Sequence, residues 1–96
     1  MYKIFVVKEV EKRCKKQGKA FKVEISKILL KLQVNPFLPQ AEQLSGQLNF
    51  IYSYHFNFSG TSYRLCYTVN KQEKLITIIL VGPRENFYKI LKQKLS

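Results

Sequence analysis

Two stretches of strict alternation meet at a short polar turn, and they limit what this chain can fold into more than any other feature. From Phe50 to Phe58, Phe50, Tyr52, Tyr54, Phe56 and Phe58 take every second position, with Ile51, Ser53, His55 and Asn57 between them. Further on, Tyr63, Leu65, Tyr67 and Val69 alternate with Arg64, Cys66, Thr68 and Asn70. Successive strand side chains point to opposite faces, so each stretch reads as a strand with one apolar and one mostly polar face. Between them lies Ser59-Gly60-Thr61-Ser62. A two-residue Gly60-Thr61 loop puts glycine first, as a type II′ turn prefers, and pairs Ser59 with Ser62. In that register Asn57 faces Arg64, His55 faces Cys66 and Ser53 faces Thr68, with the aromatic residues together on the other side. A one-residue slip mixes the faces, so pattern and turn support each other.

The rest of the chain supplies layers for such a sheet. Tyr2 to Val7 is β-branched and aromatic enough for a short strand. Lys8 to Gln17 is charged, with Val10 and Cys14 spaced i, i+4, which predicts a short helix that Gly18 ends in the left-handed conformation. Lys19 to Gln33 is the clearest helix: Phe21, Ile25, Ile28, Leu29 and Leu32 form one stripe, and Asn35-Pro36 stops it. Phe37 to Asn49 reads as an irregular connection with one short strand near Leu48. Leu75 to Val81 is an almost unbroken aliphatic run, suited to a central strand covered on both sides. Gly82-Pro83 turns the chain, and Glu85 to Leu95 predicts a last helix burying Phe87, Ile90, Leu91 and Leu95. The expected fold is α+β in a single domain over residues 1–96: a first strand, two helices, an antiparallel-rich twisted sheet of about four strands, and a C-terminal helix.

Charge narrows the partners. Seventeen Lys+Arg stand against six acidic residues, for a net charge of +11. Such a field attracts polyanions, either nucleic acid or an acidic protein that would cancel the self-repulsion. Two cysteines fall short of a disulfide framework and point to a reducing cytoplasm. Ile4 to Val7 is too short for a signal peptide, and no apolar run is long enough to span a bilayer, so no membrane association is expected.

Counting side chains removes several enzyme classes. With one histidine and no aspartate, a Ser-His-Asp triad is impossible. Two cysteines and one histidine lack the spacing of a zinc site, and the four glycines are too scattered for a phosphate loop. What remains is a polar group on the hairpin, His55, Asn57, Arg64 and Ser53, followed by Arg84 after the aliphatic strand and Tyr88 at i+4 from it. Arginine offers a planar, permanently charged fork for phosphate, and two of the three arginines fall at strand positions or ends. Each of these residues also has a plainer reading: a solvent-facing charge for the arginines, an aromatic lid on the core for Tyr88, an ordinary surface residue for His55. Cys66 reads as a small sheet residue, since no base is placed beside it.

The chain resembles the RelE/ParE superfamily of type II toxins. The likeness is carried by Leu44-Ser45-Gly46, the segment Ser62 to Val69, the segment Ile76 to Tyr88, and the helix that breaks at Asn35-Pro36; it covers almost the whole chain. It implies one of two activities on a similar scaffold: ribosome-dependent mRNA cleavage, as in RelE-like members, or inhibition of DNA gyrase, as in ParE-like ones. It also implies a partner, an antitoxin whose acidic segment wraps the toxin into a hetero-oligomer. By resemblance, Arg64 and Arg84 match arginines that contact the scissile phosphate, and Tyr88 matches a tyrosine near the C-terminal helix. Ser53 and His55 fall where RelE-like members carry lysines. Other nuclease members use histidine, so His55 becomes the candidate general base, a task that imidazoles perform near neutral pH. Ser53, Asn57, Arg64 and Arg84 are the expected RNA-contacting set. That chemistry calls for no metal and no cofactor. An RNA-binding module with a degraded site is the third reading.

Overall fold

The hairpin forms, but displaced by two residues from the expected register. In this computed structural model, which describes all 96 residues, β3 (Ile51–Phe58) and β4 (Thr61–Asn70) pair with Phe58 opposite Thr61 and His55 opposite Arg64. The loop is Ser59-Gly60, with φ of 49° and 77°. Positive φ at both central positions makes it a type I′ turn, whose twist matches that of the strands. A two-residue displacement leaves every side chain on its face, so the hydrophobic pattern cannot distinguish the two registers. Cross-strand aromatic pairs can: Phe56 stacks on Tyr63 at 5.5 Å and Tyr52 on Tyr67 at 5.8 Å, each directly opposite its partner.

Around this hairpin, five strands form one mixed sheet in the order β1-β5-β4-β3-β2. The first strand, β1 (Lys3–Val6), lies parallel to β5 (Leu75–Pro83), and every other pairing is antiparallel. The strand expected near Leu48 is instead a 3-10 turn at Gly46–Leu48, and the fifth strand is β2 (Ala41–Gln43), paired to the outer edge of β3. Strand β5 runs through Gly82 and Pro83 rather than turning there. Pro83 ends the strand, where a missing N–H is tolerated.

Helices α1 (Lys8–Gln17) and α2 (Lys19–Val34) cover one face of the sheet. Glu9 and Glu11 in the first turn of α1, and Lys15 and Lys16 in its last, complement the helix dipole. Gly18 separates the two helices at φ 100°, ψ 177°, an extended mirror-image conformation essentially closed to other residues, and not the left-handed helical one expected. From α2, Phe21, Ile25, Ile28 and Leu32 are buried as the stripe predicts, while Leu29 stays half-buried. Phe21 meets Phe58 and Tyr63 edge-on at 5.1 and 5.2 Å. Where the chain leaves α2, the buried Tyr67 hydroxyl donates to the Pro36 carbonyl.

The second face is covered only in part, by α3 (Phe87–Leu95). This helix begins two residues later than expected, after Asn86 takes a left-handed conformation at φ 58°. It buries Phe87 and Leu91 against Leu44, Ile51 and Cys66, while Ile90 and Leu95 stay exposed, against expectation. Ser53 is fully buried on this face as well, so the face expected to be polar is closed over part of its length.

A β-bulge adjusts the phase of β5. Cys66 pairs with Leu80 but Tyr67 with Ile78, which leaves Ile79 as an extra residue. Ile76, Ile78 and Val81 therefore all join the core under α1 and α2, and Gly82 comes opposite Arg64.

Candidate active site

The uncovered end of the second face is organised by Arg64, on β4. Its Nη1 donates to Tyr88 Oη at 2.9 Å and lies 2.9 Å from His55 Nε2. The guanidinium carbon also stands 5.1 Å from the centre of the Tyr88 ring, a cation–π contact. Three elements thus converge on one cation: β3 through His55, β4 through Arg64 itself, and α3 through Tyr88. His55 and Arg64 meet because the type I′ turn sets them directly opposite one another. Tyr88 meets them because it follows Phe87, which is anchored in the core beneath α3.

One N–H of Nη1 is thereby engaged by Tyr88, and the other is shared with His55 when its Nε2 carries a lone pair. The Arg64 Nε–H is buried with no protein acceptor, so this guanidinium keeps an unsatisfied donor within the sheet. A buried donor without a partner is costly, so Arg64 sits in the sheet with part of its hydrogen-bonding capacity unmet. The arrangement sets an imidazole and a phenol both against one fixed positive charge. A phosphodiester undergoing cleavage requires such groups: a base, an acid and a cation for its developing charge.

The other expected residues are distributed unevenly. Asn57 and Ser62 pair across the hairpin, and Ser62 Oγ donates to Asn57 Oδ1 at 3.0 Å. The Arg84 backbone N–H bonds the Ser62 carbonyl at 2.9 Å, which attaches Arg84 to the same end of the sheet. Its side chain is exposed and forms no hydrogen bond or ion pair, so Arg84 rims the site instead of entering the Arg64 cluster. The i+4 relation of Arg84 to Tyr88 is not helical, because Arg84 precedes α3. Ser53 has no exposed surface and faces Cys66 across the hairpin, which places it beneath the site and away from any nucleic acid at the surface. Cys66, opposite Ser53, is equally buried, and burial pushes its thiol up to about 12, far from nucleophilic use.

Glu42 is the residue that sequence reasoning missed. It lies on β2, and its Oε2 is 3.2 Å from His55 Nε2. A three-residue edge strand shows no periodicity, so no signal marked it. The third arginine, Arg13 on α1, also reaches this region: its guanidinium carbon lies 3.8 Å from where a Cβ on Gly82 would stand. No three His, Cys, Asp or Glu side chains group as metal ligands, and no helix is long and apolar enough to cross a membrane.

Residues 4–92 match the family described as ParE-like toxin of type II bacterial toxin-antitoxin system. The chain belongs to this family. Solved structures, among them RelE and RelBE2 toxins, share its fold. A doubly substituted Escherichia coli toxin RelE in the free state aligns with a TM-score of 0.75 at 20% identity, covering 99% of this chain and 98% of that one. The RelBE2 toxin–antitoxin complex of Mycobacterium tuberculosis aligns at 0.63 and 20% identity, over 86% and 98% of the two chains. A conserved hypothetical protein of Helicobacter pylori aligns at 0.60 and 21% identity, over 88% and 96%. Among curated proteins, none matches this toxin.

Proposed function

We propose that this toxin is a ribosome-dependent mRNA endoribonuclease, acting in the cytoplasm as one domain over residues 1–96. The observation that carries the reading is the contact of a single guanidinium with both an imidazole and a phenol, on a partly open sheet face. His55 takes the proton of an RNA 2′-hydroxyl. The 2′-oxygen attacks the adjacent phosphorus as the bond to the 5′-oxygen breaks, leaving a 2′,3′-cyclic phosphate. Tyr88 gives its proton to the departing oxygen, and Arg64 stabilises the phosphoryl charge, with Arg84 and Asn57 meeting the strand at the rim. The need for a 2′-hydroxyl confines cutting to RNA. The net charge of +11 favours both the ribosome and an acidic antitoxin segment that inactivates the toxin in a hetero-oligomer.

The test is cleavage of mRNA in a reconstituted translation reaction by wild type and Arg64→Ala, each checked for folding by circular dichroism. Loss of one charge-stabilising group lowers the rate by roughly 10²–10³-fold. Intact mRNA with folded wild-type toxin on translating ribosomes overturns the reading. A second reading, gyrase inhibition, draws on the ParE-like family match and on the burial of Ser53; loss of DNA supercoiling with translation intact selects it.

A further inference from the structure

Glu42 and Arg64 approach the same nitrogen of His55 with opposite requirements. Nε2 lies 2.9 Å from Arg64 Nη1 and 3.2 Å from Glu42 Oε2. A guanidinium can only donate and an ionised carboxylate can only accept. Arg64 therefore needs a lone pair on Nε2, whereas Glu42 needs a proton there, and no neutral tautomer satisfies both. With the proton on Nδ1, Nε2 accepts from Arg64 and Glu42 faces a lone pair. With the proton on Nε2, Glu42 is satisfied and Nδ1 carries the free lone pair. Neither of the ring's hydrogen bonds uses Nδ1.

We propose that Glu42 is a positioning residue that holds His55 as the Nε2–H tautomer whenever Arg64 is drawn away, so that Nδ1 becomes the proton acceptor. The consequence for catalysis rests on the nuclease reading above; the tautomer itself does not. In the resting site Arg64 competes for Nε2 and keeps the imidazole from settling in its working form. A phosphate that turns the guanidinium toward itself removes the competitor, and the carboxylate then fixes the ring. The 2′-hydroxyl proton passes to Nδ1, its O–H electron pair goes into the new bond to phosphorus, and the imidazolium that results keeps Nε2–H on Glu42. A carboxylate behind an imidazole is the arrangement that holds the correct tautomer in serine hydrolases. Side-chain exposures of 40% for His55 and 62% for Glu42 make this pair a weak contributor to stability. Small free energies are nonetheless sufficient to choose between two tautomers.

His55 is the single histidine, so its ring nitrogens give one unambiguous set of ¹⁵N signals from the full-length toxin. Spectra are taken at an alkaline pH where imidazoles are neutral. Glu42→Ala is expected to shift the tautomer ratio toward Nδ1–H by about five-fold, the worth of one ordinary hydrogen bond. Arg64→Ala, which mimics a guanidinium drawn away, is expected to shift it the other way. An unchanged ratio in Glu42→Ala, or movement of both variants in one direction, overturns the proposal. Opposite shifts in a toxin that cuts no mRNA uphold the role of Glu42 and reject the nuclease; cleavage with unresponsive tautomers does the reverse.

Discussion

Under α1 and α2 the sheet buries a continuous cluster of thirteen residues, whereas under α3 it buries five. On the first face every inward position of the strands is spent on packing, with Phe21 enclosed by aromatic rings from β3 and β4. On the second, one strand serves two purposes along its length. Cys66 lies under α3 and Arg64, two residues earlier, lies in the site. The helix that closes this face is fixed by Phe87 and Leu91 alone among fully buried side chains, and it carries Tyr88. The lesson is that one face supplies the stability and the other holds a reactive group on a light anchor.

This contrast can be broken at either end. Phe21→Ala should cost about 3–5 kcal/mol of global stability in urea titration, with loss of the whole fold. Leu91→Ala should cost less, toward the lower end of about 2–5 kcal/mol, and act locally. Its separate signature is faster labelling of Cys66 by a thiol reagent with Cys14 labelling unchanged, because Cys66 lies beneath α3 and Cys14 between the other helices. Equal acceleration at both cysteines would mean that the two faces open together.

Alkali should weaken both faces. Burial raises the Cys66 thiol from 9.0 to about 12. Burial, followed by neighbouring Tyr52, also pushes the Tyr67 hydroxyl up from 10.0. Both groups keep their protons in the folded protein where the unfolded chain ionises. Stability is therefore complete below about pH 9 and falls as pH rises beyond it, which urea midpoints on either side of that value will show. The smallest expected effect is at Ile90, which is 46% exposed on α3. Ile90→Ser should change thermal stability by no more than about 0.5 kcal/mol; a larger loss would mean that α3 is anchored by more than its buried pair.

Much of this was legible in the sequence, and the limits are physical. Helix α2 and both hairpin strands were visible because their apolar spacing has one interpretation. The hairpin register was not, since displacements by two residues preserve the faces, and only the turn geometry and the stacked rings choose between them. Reading Gly60 as the second turn residue, not the first, is what brings His55 to Arg64. Tyr88 was found, but its relation to Arg84 was misjudged, because Asn86 starts the helix after Arg84. Glu42 was out of reach: three residues on an edge carry no pattern, and its role exists only through the fold.

The extra residue at Ile79 also bears on how this toxin can be rebuilt. Upstream of it, β5 counts residues in phase with the helical layer; downstream, the count has advanced by one. A β5 transplanted from a relative that lacks the bulge would match in hydrophobicity and in length of pairing, yet present its last four residues, Leu80 to Pro83 here, inverted. Chimeras among such toxins therefore need their joints on the same side of this position, or the residue opposite Arg64 will no longer be Gly82.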